Sequence, residues 1–324
     1  MKTLSNKENQ QNTPKVSSLY GDYLVMLAAP CILSSVYYGA RALAVIAVGV
    51  LSAAISDMIF CLFLKRKFLL RDLSNIFIGA AIAVMLPAGV PLYVPAVASA
   101  FAVTVAKVPF GGSLKAPFVP AAAGFAFVSI CFKEQIFDYS YNSAEKMLGS
   151  GSIGSLLLGG NAVHLNAVNM FDIISGNVAG PMGTGCGLLM VACGIVLLIR
   201  RKGALLAPAG FILFCILWSA IFPRVNASAM TSVVMELSAG SLLFAAVFLL
   251  TDYSTQPQRR LTRFFYGTVC GFLCMLMRRV GTYEECVCFA ILLANGFSPL
   301  INSAVKRIPS KKKKASSGRE EAAE

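Results

Sequence analysis

Long apolar runs separated by short polar connections recur along the chain and predict membrane-spanning helices. The longest runs reach the length of about 20 residues that crosses a bilayer core. Others are shorter and interrupted by Gly and Pro, as in broken or tilted helices that face protein or a cavity. The predicted segments are Leu24–Gly39, Ala42–Leu64, Ser74–Leu86, Tyr93–Pro109, Pro117–Phe132, Ala179–Ile199, Ala204–Ile221, Ala227–Thr251, Leu261–Met277 and Glu285–Ala304.

The spacing of these segments predicts one membrane domain over residues 20–304. The long polar connection 133–178 separates five segments in residues 20–132 from five in residues 179–304. A Phe-x-Pro break occurs in the last segment of each half, which is consistent with a five-plus-five inverted repeat. The predicted fold class is therefore an all-α polytopic membrane protein of about ten transmembrane helices. Residues 1–19 read as a disordered tail and residues 305–324 as a basic tail.

Composition and charge support this interpretation and orient the chain. Of the 324 residues, 57% are hydrophobic and 13% are charged, against about 25% charged in soluble domains. If the segments alternate across the bilayer, one side receives all but six of the 28 Lys and Arg residues. The six on the other side are Arg41, Lys133, Lys146, Arg224, Arg278 and Arg279. Basic residues favour the cytoplasmic side, so we expect an inner (plasma) membrane protein with both termini cytoplasmic and loop 133–178 external.

The net charge of +13 does not require a nucleic-acid partner. Much of it lies in the C-terminal KRIPSKKKK stretch, where membrane topology and anionic lipid explain a basic juxtamembrane tail. We therefore expect membrane lipid, and no nucleic acid, as a partner.

Two carboxylates fall within predicted spans and are candidates for an ion path. Asp57 and Glu236 lie in apolar segments, where an ionised carboxylate costs at least ~2.5 kcal/mol unless a partner or a water-filled path accommodates it. The alternative for each is an end-of-helix carboxylate at the level of the lipid headgroups.

The remaining reactive side chains indicate packing rather than metal chemistry. The 10 cysteines are mostly dispersed through apolar segments without a CxxC pair, and the single histidine, His164, lies in the mid-chain loop. No metal site is predicted. The Gly- and Pro-rich stretches 85–95, 110–124 and 175–187 either form tight turns or create half-helix ends that present amides to an anion such as phosphate.

Eight short motifs in co-linear order give the chain a resemblance to a known family. They are DMIFC (57–61), LPAGVPLY (86–93), Lys107 with FGG (110–112), GNVAGPMG (176–183), TD (251–252), YE (283–284), FAILL (289–293) and NGFSPL (295–300). Together they resemble the RnfD/NqrB family, the membrane subunits of the Rnf and sodium-translocating NADH:quinone oxidoreductase complexes. The short N-terminal tail is more similar to RnfD.

The resemblance implies a urea-transporter-like inverted repeat and an FMN bonded through its phosphate to the external mid-chain loop. The family's attachment motif is an Asp followed by Ser-Gly-Ala-Thr, and the matching stretch here is GSGSIGSL (149–156). Ser155 takes the acceptor position, and a serine hydroxyl can form the same phosphoester as threonine. The implied cofactor-binding positions are Ser152, Gly154, Ser155, Gly180, Gly183 and Thr184.

Several positions depart from the family pattern. The motif's Asp is Gly149 and its Ala is Gly154, while Val119, Phe125 and Thr184 replace an Asn, an Arg and a Glu of the family. Apolar or smaller residues thus replace polar flavin-site residues, although the Gly and Pro framework is kept. The hypothesis from the sequence is an RnfD-like subunit whose covalent flavinylation is divergent or lost.

The function implied by the resemblance is electron transfer in an Rnf-type complex that couples reduced ferredoxin and NAD to Na+ or H+ movement. Its expected partners are the A, B, C, E and G proteins of that complex, and Asp57 precedes Glu236 as the ion-path candidate because it matches the family's acidic position. The chain lacks a nicotinamide fingerprint and an iron–sulfur cysteine set, so we expect a subunit and not a complete enzyme. Noncovalent riboflavin binding stays open. The alternative function is a non-redox transporter or channel on the same fold.

Overall fold

The computed structural model describes residues 16–63, 73–139, 152–159, 170–176, 179–200, 204–224, 228–257, 259–281 and 284–306. Across these ranges the regular secondary structure is helical, without a strand. Most of both predicted tails, the basic stretch 64–72 and the first three residues of the attachment motif (149–151) lie outside the described residues.

The described part of the first half contains five helices, which are followed by short helices in the mid-chain connection. The first five are α1 (Val16–Tyr38), α2 (Ala40–Phe63), α3 (Leu73–Met85), α4 (Tyr93–Phe101), which a π-helical turn extends over Ala102–Lys107, and α5 (Pro120–Cys131). The connection holds α6 (Lys133–Ile136), α7 (Ile153–Gly159) and α8 (Met170–Ser175).

The described part of the second half also consists of helices, one of them sharply broken. They are α9 (Gly187–Arg200), α10 (Leu206–Ile221), α11 (Ala229–Ser238), α12 (Leu242–Phe244), which a π-helical turn extends over Ala245–Leu249, α13 (Arg260–Val280) and α14 (Val287–Lys306).

The lengths and surfaces of these helices are those of a membrane protein. Among the described residues, two stretches are long and apolar enough to cross a bilayer alone, Ala40–Phe63 and Val287–Val305, and α11 with α12 forms a third candidate bent by 69°. Five further apolar helices have 10–17 residues. Large apolar side chains point outward, as at Val36, which is 73% exposed, and Phe63, which is 80% exposed. Such surface is stable in contact with lipid, so the prediction of an all-helical membrane protein is confirmed at this level.

Two predicted boundaries were wrong. Helix α1 begins at Val16, so the last residues of the predicted disordered tail are helical, and Pro30 lies inside this helix. The sixth segment was predicted to begin at Ala179, whereas α9 begins at Gly187. The chain before α9 instead crosses the end of α3, where the amides of Met182 and Gly183 donate to the carbonyls of Leu86 and Val84 at 3.0 and 3.1 Å. These bonds satisfy carbonyls that α3 leaves unpaired at its end.

The eighth predicted segment is not continuous, because it breaks between α11 and α12. Gly240 takes a φ of +65° there, in the left-handed region that favours glycine. A Cβ atom at this position would overlap a carboxylate oxygen of Glu285. That carboxylate accepts hydrogen bonds from the amide and hydroxyl of Ser241 at 2.6 and 2.7 Å, so it caps the start of α12.

Candidate functional site

Three of the six sequence-predicted flavin-site positions meet at one small cavity, on the side that the charge distribution predicts to be external. Ser152, Gly154 and Gly180 line this external cavity. Its volume is about 10 Å³, which is room for about one water molecule. Its other lining residues are Tyr139, Ile153, Ala179, Pro181, Gly185, Ser238, Gly240, Glu284 and Glu285.

Helix α7 is fixed at its start by two serines and a carboxylate. The Ser155 amide donates to the Ser152 hydroxyl at 3.0 Å, and the Ser155 hydroxyl donates to the Ser152 carbonyl at 2.8 Å. The Ser152 hydroxyl in turn donates to the Glu284 carboxylate. Ser152 is therefore the N-cap of α7, and Glu284 attaches that cap to the chain just before α14.

The loop before α9 closes the cavity from the opposite side. The Thr184 hydroxyl donates to the Gly240 carbonyl at 3.2 Å, and the Ser34 hydroxyl donates to the Met182 carbonyl at 3.1 Å. Gly183 is enclosed, since a Cβ there would overlap a methyl carbon of Val84, whereas a Cβ at Gly180 would meet nothing within 4 Å. The structure thus places Ser155, Gly183 and Thr184 beside the cavity but not among its lining residues.

Glu284 has the electrostatics of a group that titrates near neutral pH. Burial raises the pKa of its carboxyl from 4.5 to about 7, and neighbouring Glu285 raises it as well, while the Ser152 hydrogen bond and Lys133 oppose the shift. Burial, followed by the charge of Glu284, also raises the pKa of Tyr139 well above its usual value. The contact between Ser152 and Glu284 is therefore sensitive to pH.

We expect the protein to become less stable as pH rises from about 4.5 to 7. In that window the folded Glu284 carboxyl keeps a proton that the unfolded one has lost, so folding is weakened as the pH rises. Between about pH 5 and pH 8 the unfolding temperature of the detergent-solubilised protein should fall by ~2–4 °C more than that of Glu284→Gln. Glu134→Gln, at an exposed position on α6, is the matched control and should behave as the wild type. Equal pH slopes for wild type and Glu284→Gln would contradict this assignment.

Glu236 lies between two arginines, two residues before Ser238, which lines the external cavity. Its carboxylate is 2.5 Å from Nε of Arg224 and 3.2 Å from Nη1 of Arg278. Arg278 also donates to the backbone carbonyls of Glu236 and Ala239 at 2.8 and 2.9 Å. The side chains of Glu236 and Arg278 are each only 2% exposed, so two guanidinium groups balance this buried carboxylate.

Asp57 lies in a separate cluster, in the first half of the chain. Asn75 donates its side-chain amide to the Asp57 carboxylate at 2.8 Å, and the Lys107 ammonium donates to the amide oxygen of Asn75. The ammonium is 3.9 Å from the nearer Asp57 oxygen, and the two charged side chains are 3% and 10% exposed. This cluster joins α2, α3 and the π-helical turn after α4.

Sequence reasoning missed the partners that surround the predicted residues. From the sequence, Lys107 was a member of a family motif, and both Lys107 and Arg278 were among the basic residues used to orient the chain in the membrane. Asn75 and Glu285 were assigned no role. Lys107 had a usable signal, because it directly follows an apolar run that begins at Tyr93, where a buried ammonium needs a partner. The partners of Arg278 depend on the break at Gly240, which no local pattern predicts.

The residues around Ser155 fit attachment of a phosphate ester but not enclosure of a flavin ring. The Ser155 hydroxyl is half-buried at the first turn of α7. The neighbouring cavity, of about 10 Å³, has no room for a ring system in this arrangement. Among the described residues there is no group of His, Cys, Asp and Glu that could hold a metal ion.

The fold and the site define an all-helical membrane protein with broken helices and buried, compensated charges. The chain matches the sequence model of the NQR2, RnfD, RnfE family over residues 4–311. It belongs to this family.

Individual relatives extend this finding. The chain is 23% identical to the D component of the Na+-translocating ferredoxin:NAD+ oxidoreductase complex of Acetobacterium woodii over 305 residues, which is 94% of this chain and 93% of that protein. It is 25% identical to the D component of the ion-translocating oxidoreductase complex of Salmonella dublin, over 91% of this chain and 93% of the relative. It is 29% identical to the B component of the Na+-translocating NADH-quinone reductase of Pseudomonas paraeruginosa, over 73% of this chain but only 60% of that protein.

Proposed function

We propose that this protein is the D-type membrane subunit of an Rnf-type complex that couples electron transfer between ferredoxin and NAD to Na+ or H+ movement. The observation that carries this proposal is the end-to-end match with the D component of the Acetobacterium woodii complex, which covers 94% of this chain and 93% of the relative. The protein acts in the inner membrane with both termini cytoplasmic, beside the A, B, C, E and G proteins of the complex.

The proposed architecture is a ten-segment, five-plus-five inverted repeat of the urea-transporter-like kind. Two basic side chains support it. Lys107 ends the fourth segment and bonds to Asn75 at the start of the third. Arg278, near the end of the ninth segment, bonds to the Ala239 carbonyl at the break of the eighth. The charge distribution predicts these contacts on opposite sides of the membrane, as inversion of one half relative to the other requires.

In this proposal Asp57 is the ion-path carboxylate of the protein. Asp57 faces one flexible ammonium at 3.9 Å, whereas Glu236 is held by two planar guanidinium groups. A bidentate guanidinium pair is stronger and more rigid than an ammonium contact. Glu236 therefore fixes the break between α11 and α12, and Asp57 is the carboxylate that can exchange partners.

Ser155 is the proposed attachment residue for FMN, which would accept and pass on single electrons. Its hydroxyl is half-buried on α7 and donates to the backbone carbonyl of Ser152. This chain's contribution is to position the hydroxyl, because Ser152 and Glu284 fix the start of α7 against α14.

In-gel fluorescence tests the attachment. The denatured wild-type band, expressed in a host that attaches flavin to such proteins, should fluoresce, and Ser155→Ala should lose essentially all of that signal because it removes the ester oxygen. Ser150→Ala removes a neighbouring hydroxyl of the same motif and should keep the signal. A dark wild-type band would show that covalent flavinylation is lost in this chain.

The second candidate function is a non-redox transporter or channel on the same fold. The replacement of the motif's Asp by Gly149 and of its Ala by Gly154 favours it. Purification distinguishes the two functions: an Rnf component should copurify with the other proteins of its complex and carry flavin. A protein that purifies alone without flavin and moves a solute across liposomes would overturn the proposed function.

A further inference from the structure

An apolar groove runs between α9 and α10 in the second half of the chain. Both helices pack against the π-helical turn Ala245–Leu249, and the groove between them has a volume of about 240 Å³. Met190, Gly194 and Leu198 line it from α9, and Leu205, just before α10, lines it from the other side. All of the described residues around this α9–α10 groove are apolar. It therefore offers a ligand hydrocarbon surface and no hydrogen-bonding side chain.

The α9–α10 groove opens towards the region that the bilayer occupies around these helices. Val191 and Ile195 line its edge on α9 and are 55% and 54% exposed. Between them the wall is low, because a Cβ atom at Gly194 would meet only a methyl carbon of Val247, at 3.7 Å. From Met190 to Leu198 the groove follows α9 for about 12 Å, at about 1.5 Å per residue. A long, open and wholly apolar channel of this kind suits a hydrocarbon chain.

The size of the groove favours a single chain over a helix of another protein. A helix with its side chains is about 10 Å across, so two turns of one occupy on the order of 800 Å³. The groove holds about 240 Å³, and a docked helix would insert no more than one or two side chains into it. An acyl chain is narrow enough to follow the groove along its whole length.

The first basic group at one end of the groove is Arg200. It ends α9, two residues beyond Leu198, and its side chain is 61% exposed. Its guanidinium forms an ion pair with Asp22 at 3.0 Å. Exposed pairs of this kind are weak, and a guanidinium has five N–H donors, so Arg200 can also donate to a phosphate oxygen.

A second basic stretch is held at the same end. The side-chain amide of Gln256 donates to the Ala204 carbonyl at 3.3 Å, which brings the chain that enters α13 next to Leu205. Arg259 and Arg260 follow directly on this chain and are both exposed. The charge distribution predicts this end to be cytoplasmic, where the headgroups of anionic lipids attract basic side chains. The groove thus has an apolar length and a basic end, as a phospholipid has an apolar chain and an anionic headgroup.

We propose that the α9–α10 groove binds one acyl chain of an anionic phospholipid, whose phosphate group is held by Arg200, Arg259 and Arg260. The bound lipid fills the space between two helices that otherwise meet through the π-helical turn, so it stabilises their arrangement. This inference goes beyond the proposed function and does not depend on it, because the lipid carries neither electrons nor the transported ion.

Photo-cross-linking tests the site on the full-length chain in detergent. The probe is phosphatidylglycerol with a diazirine in one acyl chain, and mass spectrometry of the digested protein measures the labelling of residues 190–198. Unlabelled phosphatidylglycerol or phosphatidylcholine with the same acyl chains is added as competitor. We expect phosphatidylglycerol to compete at least about fivefold more strongly, which is the effect of one basic residue near an anionic headgroup.

One pair of variants tests the headgroup contacts. Arg200→Gln, Arg259→Gln and Arg260→Gln, combined in one protein, should remove the preference for phosphatidylglycerol and leave the competition by phosphatidylcholine unchanged. The control removes the same number of positive charges from the C-terminal tail, by combining Lys312→Gln, Lys313→Gln and Lys314→Gln. It should keep the preference of the wild type.

A second pair of variants tests the acyl-chain contacts. Gly194→Leu places a side chain in the groove and should reduce labelling of residues 190–198 at least about tenfold, which is the effect of two methylene groups that lose their burial. Gly296→Leu adds the same side chain to an exposed position on α14, where a Cβ would meet nothing within 4 Å. It should be labelled like the wild type.

Two outcomes would overturn the proposal. Equal competition by phosphatidylcholine and phosphatidylglycerol would mean that the groove is only solvated by bulk lipid. Labelling of residues 190–198 that is present in the isolated chain but moves to another protein in a purified complex would mean that a protein covers the groove. Should Gly194→Leu fail to fold, the arginine variant decides, because it changes only exposed side chains: a preference for phosphatidylglycerol that survives in it also overturns the proposal.

Discussion

Replacing Arg278 with methionine is expected to destabilise the folded protein by about 3–5 kcal/mol, the range found when one partner of a buried ion pair is removed. Arg278 is 2% exposed and donates to the Glu236 carboxylate and to the backbone carbonyls of Glu236 and Ala239. Its loss would leave those carbonyls unpaired at the break between α11 and α12. The unfolding temperature and the folded fraction on size-exclusion chromatography measure the effect.

The matched control is the neighbouring residue. Arg279 is exposed, and its guanidinium lies 5.7 Å from the centre of the Phe222 ring. Such exposed contacts contribute at most about 1 kcal/mol, so Arg279→Met should unfold close to the wild-type temperature. Glu236→Gln in the Arg278→Met background should recover part of the loss because it removes the excess buried charge. Equal effects of Arg278→Met and Arg279→Met would show that the buried cluster contributes little to stability.

The sequence was sufficient to predict the class of protein and where most of its helices lie. The run of apolar residues in α2 predicts the bounds of that helix to within two residues, since Ala42–Leu64 was predicted and Ala40–Phe63 is found. Such predictions succeed because a lipid-facing helix must be apolar over a length set by the bilayer. The signal is local, and a single segment carries it.

The predicted helix bounds that were wrong depend on contacts between distant parts of the chain. Residues 179–186 are apolar enough to read as helix, yet the amides of Met182 and Gly183 pair with carbonyls at the end of α3, nearly 100 residues earlier. The break at Gly240 is set by a carboxylate from the start of α14, at Glu285. Apolar periodicity cannot reveal such pairings, because the energy that decides them comes from residues outside any local window.

The candidate site also combines features that the local sequence predicts with features that depend on distant residues. Motif order pointed to six cofactor-binding positions, and the structure brings three of them, Ser152, Gly154 and Gly180, together at one cavity. Their role in binding a flavin stays a prediction. Glu284, whose carboxyl pKa is raised at this cavity, was identified only as part of a motif, since burial in the folded chain raises its pKa and the hydrogen bond from Ser152 opposes that shift. The apolar segments around Asp57 and Glu236 likewise predicted buried carboxylates. They did not predict that Asp57 faces an ammonium group, or that Glu236 contacts two guanidinium groups.

The loop before α9 offers the sharpest comparison between two glycines of the same motif. Gly183→Ala is expected to destabilise the protein by about 1–3 kcal/mol, the usual cost of overpacking an enclosed position. The added methyl group would overlap a methyl carbon of Val84 and lie 2.7 Å from the Ser34 hydroxyl oxygen. To relieve these contacts the loop must move away from α1 and α3, which lengthens the bond from the Gly183 amide to the Val84 carbonyl.

Gly180→Ala is the control, because a Cβ at that position meets nothing within 4 Å and the backbone there has no positive φ. Its unfolding temperature should stay within about 1–2 °C of the wild type, in keeping with the small effects of substitutions that disturb no packing. If the loop also positions Thr184 against Gly240, Gly183→Ala should increase cleavage by an added protease of the loops around the cavity, and Gly180→Ala should not. Equal protease sensitivity of the two variants would show that Gly183 is not a packing point of this loop.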